Sequence, residues 1–492
     1  RNCIRLINKR VSAEALLFDF PLTTVYNEHI FEFYGGNMLG YIYEETTKYM
    51  KNEGKDVRKK KGQFFTPVNI AAYMGKWTMA KEHLDILDAG AGSGILTAGI
   101  IEHLLTIDGC RSIKVTFVEN DPIILPLLKK NADYIQNICE NHNIIFRYTI
   151  WSDSFFAIDI SQKYDIVISN PPYKKIAKNS KEAIAMKDYV YGQPNLYGLF
   201  MAKGLELLKE DGQYIYITPR SWVSGLYYTE VRKAILKTDI EKIHIFSDRD
   251  TVFSGEQVLQ ETMILFGKKE KEQIEKIEIN VSSDSYMQLE KTLSVPADLI
   301  KSVGEESYLL IPTNEDDIRI IRDMSNITDT FDSLGYQFKT GPVVEFRAKE
   351  MISEEPKDGY IPMFRPSNVN GGRLKFPVYS GKAQYISGKA TKLLVRNANS
   401  VFVKRLTAKE EKRRLQSCCY ISKNNKEYIS IENHVNYLVK KDGTPLSQKE
   451  AENIHKILSS DEYDVYFRLI NGSTQVNARE LNYFPLRKEE IV

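Results

Sequence analysis

Residues 84–94 read Leu-Asp-Ile-Leu-Asp-Ala-Gly-Ala-Gly-Ser-Gly, and this stretch decides the predicted fold. The mostly apolar run Leu84–Ala89 predicts a buried strand. The glycines that follow, Gly90, Gly92 and Gly94, let the backbone turn tightly into a helix and approach a ligand closely. We therefore expect this turn to lie at the ligand-binding edge of an α/β sheet.

Strand and helix signals alternate on both sides of this turn, from residue 84 to residue 268. Strands are predicted at 84–89, 114–119, 145–150, 164–169, 214–218, 243–246 and 261–266, and helices at 95–105, 122–136, 196–208 and 228–236. Strands that alternate with helices of this length predict an α/β fold, a doubly wound and mostly parallel sheet. The last two strands are close together in sequence and could form an antiparallel edge.

The chain of 492 residues is long enough for several domains. A charged stretch that is poor in large apolar residues follows Gly267 and indicates a domain boundary. We predict a helical N-terminal extension over 1–60, an α/β domain over 61–268, a linker over 269–307 and an α+β domain over 308–492.

The composition excludes several classes of protein. A hydrophobic fraction of 42% with 27% charged residues is typical of a soluble globular chain and not of a disordered one. No apolar run is long enough to span a bilayer, and no secretory signal is visible. The five cysteines lack disulfide or zinc spacing, and the seven histidines lack metal-ligand spacing. The sequence therefore predicts a cytoplasmic protein without a metal ion.

Positive charge is concentrated in one region although the net charge is only +2. Residues 361–430 contain fifteen lysines and arginines but only three glutamates, and aromatic residues are interleaved with them. Such a region is suited to tracking a phosphate backbone, although a solvated basic face explains the charge equally well.

Acidic residues follow the first three predicted strands or lie at their ends. Asp88 precedes the glycine turn, Glu119 ends the second strand, and Asp153 follows the third. A carboxylate beside the turn disfavours a pyrophosphate but would attract the ammonium and sulfonium of S-adenosylmethionine. Glu119 could accept both ribose hydroxyls, and Asp153 could accept the adenine amine of this methyl donor. Another nucleotide, a plain turn, and a cap at Asp153 stay open as alternatives.

The tetrapeptide Asn170-Pro171-Pro172-Tyr173 directly follows a predicted buried strand. The prolines end the strand and fix the backbone, so the Asn170 side chain and the Pro171 carbonyl become preorganised hydrogen-bond acceptors. Two such acceptors would favour a pyramidal amine whose lone pair faces a methyl group. Tyr173 offers a surface on which an extruded base could stack. A simple turn is the alternative.

Taken in order, these motifs resemble the amino-methylating DNA methyltransferases of the gamma class, the adenine-N6 modification methylases of the TaqI, PstI and BsuBI type. The resemblance covers residues 58–268 strongly and the remainder more weakly. Gly62–Pro67 resembles the family's N-terminal motif, which closes over the methionine moiety, and Phe253 stands where the family has an aromatic residue that packs on the extruded adenine. A core phenylalanine is the alternative for Phe253.

The resemblance implies a specific set of site residues. The catalytic residues would be Asn170, Pro171, Pro172, Tyr173 and Phe253. The residues that bind S-adenosylmethionine would be Phe65, Thr66, Pro67, Asp88, Ala89, Gly90, Gly92, Gly94, Glu119, Asn120, Asp153, Ser154 and Asn170.

The C-terminal domain would be the target-recognition domain. Residues 403–414 and 471–478 resemble segments that recur in PstI-like enzymes, and their side chains suit phosphates and base edges. The residues that bind DNA would be Arg365, Arg373, Lys404, Arg405, Lys412, Arg413, Thr474, Gln475 and Asn477. A polar turn beside a helix cap is an equal alternative for 471–477.

The partners implied are double-stranded DNA and a separate cognate restriction endonuclease, with no membrane. Two other classes of function stay open: an N-methyltransferase acting on RNA or a protein glutamine amide, and a DNA-binding subunit without catalysis. The former generally lack a large basic domain after the catalytic one.

Overall fold

The structure is a computed structural model that describes residues 37–246, 261–269, 274–283, 289–301, 308–408, 411–422, 426–470 and 474–491. Phe253, residues 1–36 of the N-terminal extension and residues 471–473 of the second recurring segment lie outside this range. The described helices are α1 Met38–Glu53, α2 Lys55–Lys61, α3 Val68–Gly75, α4 Ile95–Leu104, α5 Leu125–Asn141, α6 Lys181–Ala185, α7 Leu196–Glu206, α8 Thr229–Leu236, α9 Ala297–Ile300, α10 Glu315–Ser325, α11 Gln448–Leu458, α12 Asp461–Ile470 and α13 Ala478–Asn482.

A nine-stranded sheet forms the N-terminal part of the described chain, with strand order β3-β2-β1-β4-β5-β7-β6-β8-β9. Its strands are β1 His83–Ala89, β2 Ser112–Val118, β3 Ile145–Trp151, β4 Tyr164–Ser169, β5 Leu208–Pro219, β6 Asp239–Phe246, β7 Thr262–Lys268, β8 Lys276–Ser282 and β9 Lys291–Pro296. Strands β3, β2, β1, β4 and β5 are mutually parallel, and β7 runs antiparallel to both of its neighbours. The predicted doubly wound, mostly parallel sheet is confirmed.

Apolar residues cover both faces of this sheet, because a doubly wound sheet packs against helices on both sides. One face packs against α1, α3, α4 and α5, and the other against α7 and α8. The helices α3 and α4 approach so closely that a Cβ on Gly99 would lie 2.2 Å from the Ala71 carbonyl oxygen. Because the parallel strands all end at the same edge, the loops after β1, β2, β3 and β4 are brought together there.

The structure differs from the sequence-based expectation over 269–307, which was predicted to be a linker. The described part of this stretch contributes β8, β9 and α9, and β8 pairs in parallel with β6. Ile277, Ile279 and Val281 alternate along β8 and are buried in the core. The high charge of the surrounding residues hid this alternation. The strands β6 and β7 are consequently interior strands and not an edge.

The C-terminal part combines smaller sheets with helices. Its strands are β10 Tyr336–Thr340, β11 Ile352–Ser353, β12 Tyr360–Phe364, β13 Val369–Asn370, β14 Arg373–Leu374, β15 Tyr385–Ser387, β16 Val395–Arg396, β17 Ser400–Lys404, β18 Ser417–Tyr420, β19 Tyr428–Ile431 and β20 Val435–Lys440. They form sheets of four, five and two strands in the described chain. Helices α10 to α13 pack around a separate apolar core, so this part has the expected α+β character.

No helix within the described ranges is both long and apolar enough to cross a membrane.

Candidate functional site

A cavity of about 430 Å³ opens at the carboxyl edge of the large sheet. This volume lies within the range of small-molecule and cofactor sites. Many of the predicted residues line it, namely Phe65, Thr66, Gly90, Gly92, Glu119, Asn120, Asp153, Ser154, Asn170 and Pro172. The ends of four strands therefore bring residues of four sequence motifs around one space, and the segment before α3 adds a fifth.

The glycine turn after β1 forms the floor of the cavity. Gly90, Gly92 and Gly94 all have positive φ angles, of 75°, 56° and 81°. A Cβ on Gly92 would lie 3.3 Å from the Phe65 ring, and one on Gly90 would lie 3.6 Å from the Phe200 ring. The positive φ angles therefore favour glycine at all three positions, and at Gly92 a Cβ would also be tight against the Phe65 ring.

Glu119 lies at the cavity wall directly after β2. Its Oε2 accepts a hydrogen bond from the Gly92 amide at 3.0 Å, and its Oε1 accepts one from the Asp121 amide at 2.9 Å. Burial raises the pKa of the Glu119 carboxyl, against the effect of these hydrogen bonds. Each oxygen can still accept a second hydrogen bond, such as one from a ligand hydroxyl.

Asp88 does not line the cavity, which corrects the prediction of a direct cofactor contact. The residue is fully buried within β1, and its Oδ2 accepts a hydrogen bond from the Thr97 hydroxyl at 2.7 Å. Burial raises the pKa of its carboxyl to about 7. Ala89, Gly94 and Pro67 likewise lie outside the cavity lining, where they shape the turn and the start of α3.

Asp153 and Ser154 follow β3 and face the cavity. The Asp153 carboxylate is exposed and accepts a hydrogen bond from the Ser154 amide at 2.6 Å. The aromatic residues Phe156 and Phe200 line the same space, and their rings meet edge to face at 5.3 Å. This end of the cavity therefore offers a carboxylate beside a flat apolar surface.

Asn170 is held at the lip of the cavity by the backbone and side chain of an N-terminal segment. Its Nδ2 donates to the Phe64 carbonyl oxygen at 2.7 Å and to the Thr66 hydroxyl at 3.0 Å. Both amide hydrogens are thereby used. No described residue donates a hydrogen bond to its Oδ1, so this oxygen is available as an acceptor.

Tyr173 is packed more tightly than the sequence indicated. Burial raises the pKa of its hydroxyl, which therefore stays protonated and donates to the Ile217 carbonyl oxygen at 3.2 Å. Its ring lies 5.5 Å from the ring of Phe64 and 6.0 Å from that of Tyr197. The corner that follows Asn170 is thus fixed by aromatic contacts as well as by Pro171 and Pro172.

Residues 61–66, here called the strap, cross the cavity from the second strand to the fourth. At one end, Lys61 Nζ lies 2.8 Å from Asp121 Oδ2, and Gln63 Nε2 donates to the same oxygen at 2.9 Å. Lys61 also pairs with Glu53 of α1 at 2.9 Å. The sequence gives no signal for the contacts of Lys61 and Gln63 with Asp121, because these partners lie sixty and fifty-eight residues apart.

The charged groups around the cavity are mostly acidic. Four carboxylates and two lysines line it, namely Glu119, Asp121, Asp153, Glu182, Lys61 and Lys174. The buried Asp88 lies beneath the turn. The cavity is therefore better suited to a cationic ligand than to a pyrophosphate. No cluster of potential metal ligands was found among the described residues.

The two predicted recognition segments meet in space. Residues 405–407 and 474–476, here called the ribbon, are joined by an antiparallel bridge between Leu406 and Gln475. The Val476 amide donates to the Arg405 carbonyl oxygen at 2.7 Å, and the Thr407 amide to that of Thr474 at 3.2 Å. Leu406, Thr474 and Gln475 are exposed. The ribbon therefore presents both segments on one surface.

The predicted DNA-binding residues fall into two groups. Arg373 and Lys412 are exposed and make no ion pair with a described residue, and Lys404 and Arg405 are partly exposed. The structure contradicts the prediction for Arg365, which is buried, pairs with Glu345 at 2.8 Å and donates to the Ala383 carbonyl oxygen. Counting charges along a sequence cannot detect such burial.

Two further predicted residues stabilise helix starts. Arg413 pairs with Asp461 at 2.6 Å and donates to the Ser460 carbonyl oxygen at the beginning of α12. Asn477 precedes α13, and its Nδ2 donates to Glu480 Oε1 at 3.0 Å. The helix-cap interpretation therefore describes Asn477 better than a base contact does.

A doubly wound sheet with a glycine turn after β1, a carboxylate after β2 and Asn-Pro-Pro-Tyr after β4 defines the class of Rossmann-like methyltransferases. The family profile of the Eco57I restriction-modification methylase matches residues 116–253. The chain is 31% identical over 449 residues to the type II methyltransferase M.BsuBI of Bacillus subtilis, covering 88% of each chain. It is 31% identical over 452 residues to M.PstI of Providencia stuartii, again covering 88% of each.

The chain belongs to the family of type II methyltransferases of restriction–modification systems. Two solved structures share its fold over nearly the whole chain. A cryo-EM structure of a DrdV–DNA complex has a TM-score of 0.51 at 12% identity, covering 95% of this chain and 60% of the other. The enzyme MmeI in complex with DNA has a TM-score of 0.50 at 10% identity, covering 93% and 66%.

Proposed function

We propose that this protein transfers a methyl group from S-adenosylmethionine to the N6 amine of adenine in a specific duplex DNA sequence. Membership of its family makes it a DNA methyltransferase. The choice of an amine acceptor rests above all on Asn170, whose amide nitrogen is fully hydrogen-bonded to the strap. Its carbonyl oxygen is thereby directed away from the strap and can accept a hydrogen bond.

The residues around the cavity fit S-adenosylmethionine. The excess of carboxylates suits the positive charge of the donor, and the glycine turn leaves room for its close approach. Glu119 would accept the ribose hydroxyls, while Asp153, Phe156 and Phe200 would surround the adenine of the donor. When bound, the donor supplies an electrophilic methyl group on a positively charged sulfur.

The protein's contribution is to orient the acceptor amine. An exocyclic amine is a weak nucleophile because its lone pair is delocalised into the ring. We assign Asn170 Oδ1 and the Pro171 carbonyl oxygen as acceptors for the two amine hydrogens, which favours a pyramidal nitrogen. Preorganised acceptors of this kind need not rearrange during the reaction. A strong base is not required, since the nitrogen loses its proton after attack.

The target adenine has to leave the helix to reach this corner, because a base that stays stacked and paired in the duplex cannot enter the cavity. We propose base flipping for this reason, with Phe64 and Tyr173 as the aromatic surface beside the extruded base. Phe253, which lies outside the described residues, stays a prediction for the same role. The ribbon and the exposed basic residues would hold the duplex through phosphate and base contacts.

Sequencing of genomic DNA tests this proposal most directly. The wild-type chain and Asn170→Ala are expressed in a host without DNA methylation, and N6-methyladenine is mapped. We expect modification at one recurring sequence for the wild type and none for Asn170→Ala, which should still bind the donor. Modification of cytosine, or wild-type turnover in Asn170→Ala, would contradict the proposed acceptor chemistry.

The alternative acceptors are tested with the same purified protein. Radiolabelled donor is supplied with duplex DNA, total RNA or protein release factors. Transfer to DNA alone is expected, and transfer to RNA or to a glutamine amide would replace the proposal. A cytoplasmic location and a separate cognate endonuclease are further parts of the proposal. Co-purification and the neighbouring genes would test for the endonuclease.

A further inference from the structure

Arg220 lies where the catalytic edge of the sheet meets the C-terminal domain. It follows Pro219, the last residue of β5, and β5 pairs with the strand that leads into Asn170. The Tyr173 hydroxyl reaches the same strand at Ile217. Arg220 is thus connected to the proposed catalytic corner through three residues of one strand.

The side chain of Arg220 is buried between two parts of the protein. Its guanidinium donates to the Leu469 carbonyl oxygen of α12 at 3.1 Å and pairs with Glu261 at 3.4 Å. Its backbone amide donates to the Glu261 carbonyl oxygen at 2.8 Å. Glu261 immediately precedes β7 and directly follows the segment that contains Phe253.

Helix α12 is in turn connected to the ribbon. Asp464 of α12 accepts hydrogen bonds from the backbone amides of Arg414 and Leu415, at 2.6 and 2.7 Å. Arg414 is buried, and its Nε donates to the Thr407 hydroxyl at 3.1 Å. Thr407 belongs to the ribbon. A continuous series of buried polar contacts therefore runs from the end of β5 to the proposed DNA-reading surface.

We propose that Arg220 is a positioning residue that makes catalysis depend on correct recognition of the DNA sequence. It fixes α12, and with it the ribbon, relative to the corner at Asn170. A duplex that fits the ribbon is then aligned so that its target base reaches the cavity, whereas a near-cognate duplex is not. This inference rests on the proposed function.

Spatial continuity does not itself demonstrate coupling, so the experiment has to measure it. The wild type and Arg220→Met are expressed at low level in a methylation-free host. Genomic sequencing then gives the ratio of methylation at the full recognition sequence to that at sequences differing by one base. We expect this ratio to fall about tenfold in Arg220→Met, within the range measured for coupled sites. Purified enzyme should show the loss in kcat for the cognate duplex more than in KM.

Arg232 provides a matched control for the loss of a buried arginine. It is fully buried in α8 and donates to the carbonyl oxygens of Trp222 and Gly225 at 2.9 and 3.0 Å. Neither of these two hydrogen bonds involves α12 or the ribbon, and its guanidinium also lies over the ring of Tyr308, 5.6 Å from the ring centroid. Arg232→Met should lower the melting temperature while leaving the methylation ratio at the wild-type value.

A second variant addresses the other end of the contacts, in case Arg220→Met folds poorly. Thr407→Val removes the hydroxyl that accepts the hydrogen bond from Arg414 Nε. This variant should also lower the ratio of cognate to near-cognate methylation. A wild-type ratio in both folded variants, or an equal loss in Arg232→Met, would overturn the inference. If the wild type methylates no DNA, the proposed function fails instead, so the two failures are distinguishable.

Discussion

Removing the charge of Lys61 tests whether the strap closes the cavity over the methyl donor. The substitution Lys61→Met keeps the length of the side chain but deletes its contacts with Glu53 and Asp121, at 2.9 and 2.8 Å. Asp121 would keep its hydrogen bond from Gln63. The strap would therefore lose most of its attachment at the β2 end while its attachment to Asn170 persists.

The expected magnitude follows from the exposure of the ion pairs. The Lys61 side chain is 30% exposed, while those of Glu53 and Asp121 are 14% and 11% exposed. A fully buried charged hydrogen bond contributes about 1.5–3 kcal/mol and a surface pair about 0–1 kcal/mol. The two partly exposed pairs together should contribute about 1–2 kcal/mol. When all of this free energy contributes to donor binding, its loss should weaken the affinity for the donor about five- to thirtyfold.

Calorimetric titration with S-adenosylhomocysteine measures this effect without turnover. Lys81→Met is the matched control, because Lys81 pairs with Asp165 at 3.3 Å just before β1 and does not line the cavity. We expect the affinity to fall in Lys61→Met and to stay unchanged in Lys81→Met. A wild-type affinity in Lys61→Met, or an equal loss in both variants, would refute the reasoning that the strap closes the site.

Three further predictions concern stability and DNA binding. Burial lowers the pKa of His244 to about 4, whereas an unfolded histidine binds a proton near pH 6.5. The free energy of unfolding should therefore fall as the pH drops from about 6.5 to 4, and urea titrations of His244→Gln should not show this slope. Gly99→Ala should lower that free energy by about 1–3 kcal/mol through overpacking of α3 against α4, which urea titration also measures. Arg365→Ala should destabilise the fold without changing the salt dependence of DNA binding, whereas Arg373→Ala should reduce that slope by about 1.

The fold class was predictable because periodicity is a local property. The apolar run before Gly90 and the strand before Asn170 both lie in the interior of the sheet, where continuous apolar sequence is required. The prediction of a linker over 269–307 was wrong although the pattern of β8 is equally local. β8 alternates at Ile277, Ile279 and Val281, but lysines and glutamates crowd the stretch before it, and average composition outweighed the pattern.

For the site, the sequence indicated which residues take part but not how their side chains are oriented. Asp88 is chemically suited to a cationic ligand, yet its position within β1 directs the carboxylate to Thr97. Arg365 counted as a basic surface residue, although its side chain is buried and pairs with the partly exposed Glu345. In both cases the direction of the side chain depends on how the chain packs around it, which neither composition nor motif spacing contains.

The orientation of Asn170 shows most clearly why the structure adds to the motif. A carboxamide can be turned by 180° at little steric cost, and only one orientation offers its oxygen to an amine. The strap supplies two acceptors, the Phe64 carbonyl oxygen and the Thr66 hydroxyl, which select that orientation by hydrogen-bonding the amide nitrogen. The strap also packs Phe65 against Gly92 on the donor side of the cavity. The N-terminal motif and the Asn-Pro-Pro-Tyr motif therefore form one physical unit. In the proposed mechanism, closure over the donor and preparation of the acceptor site would depend on the same six residues.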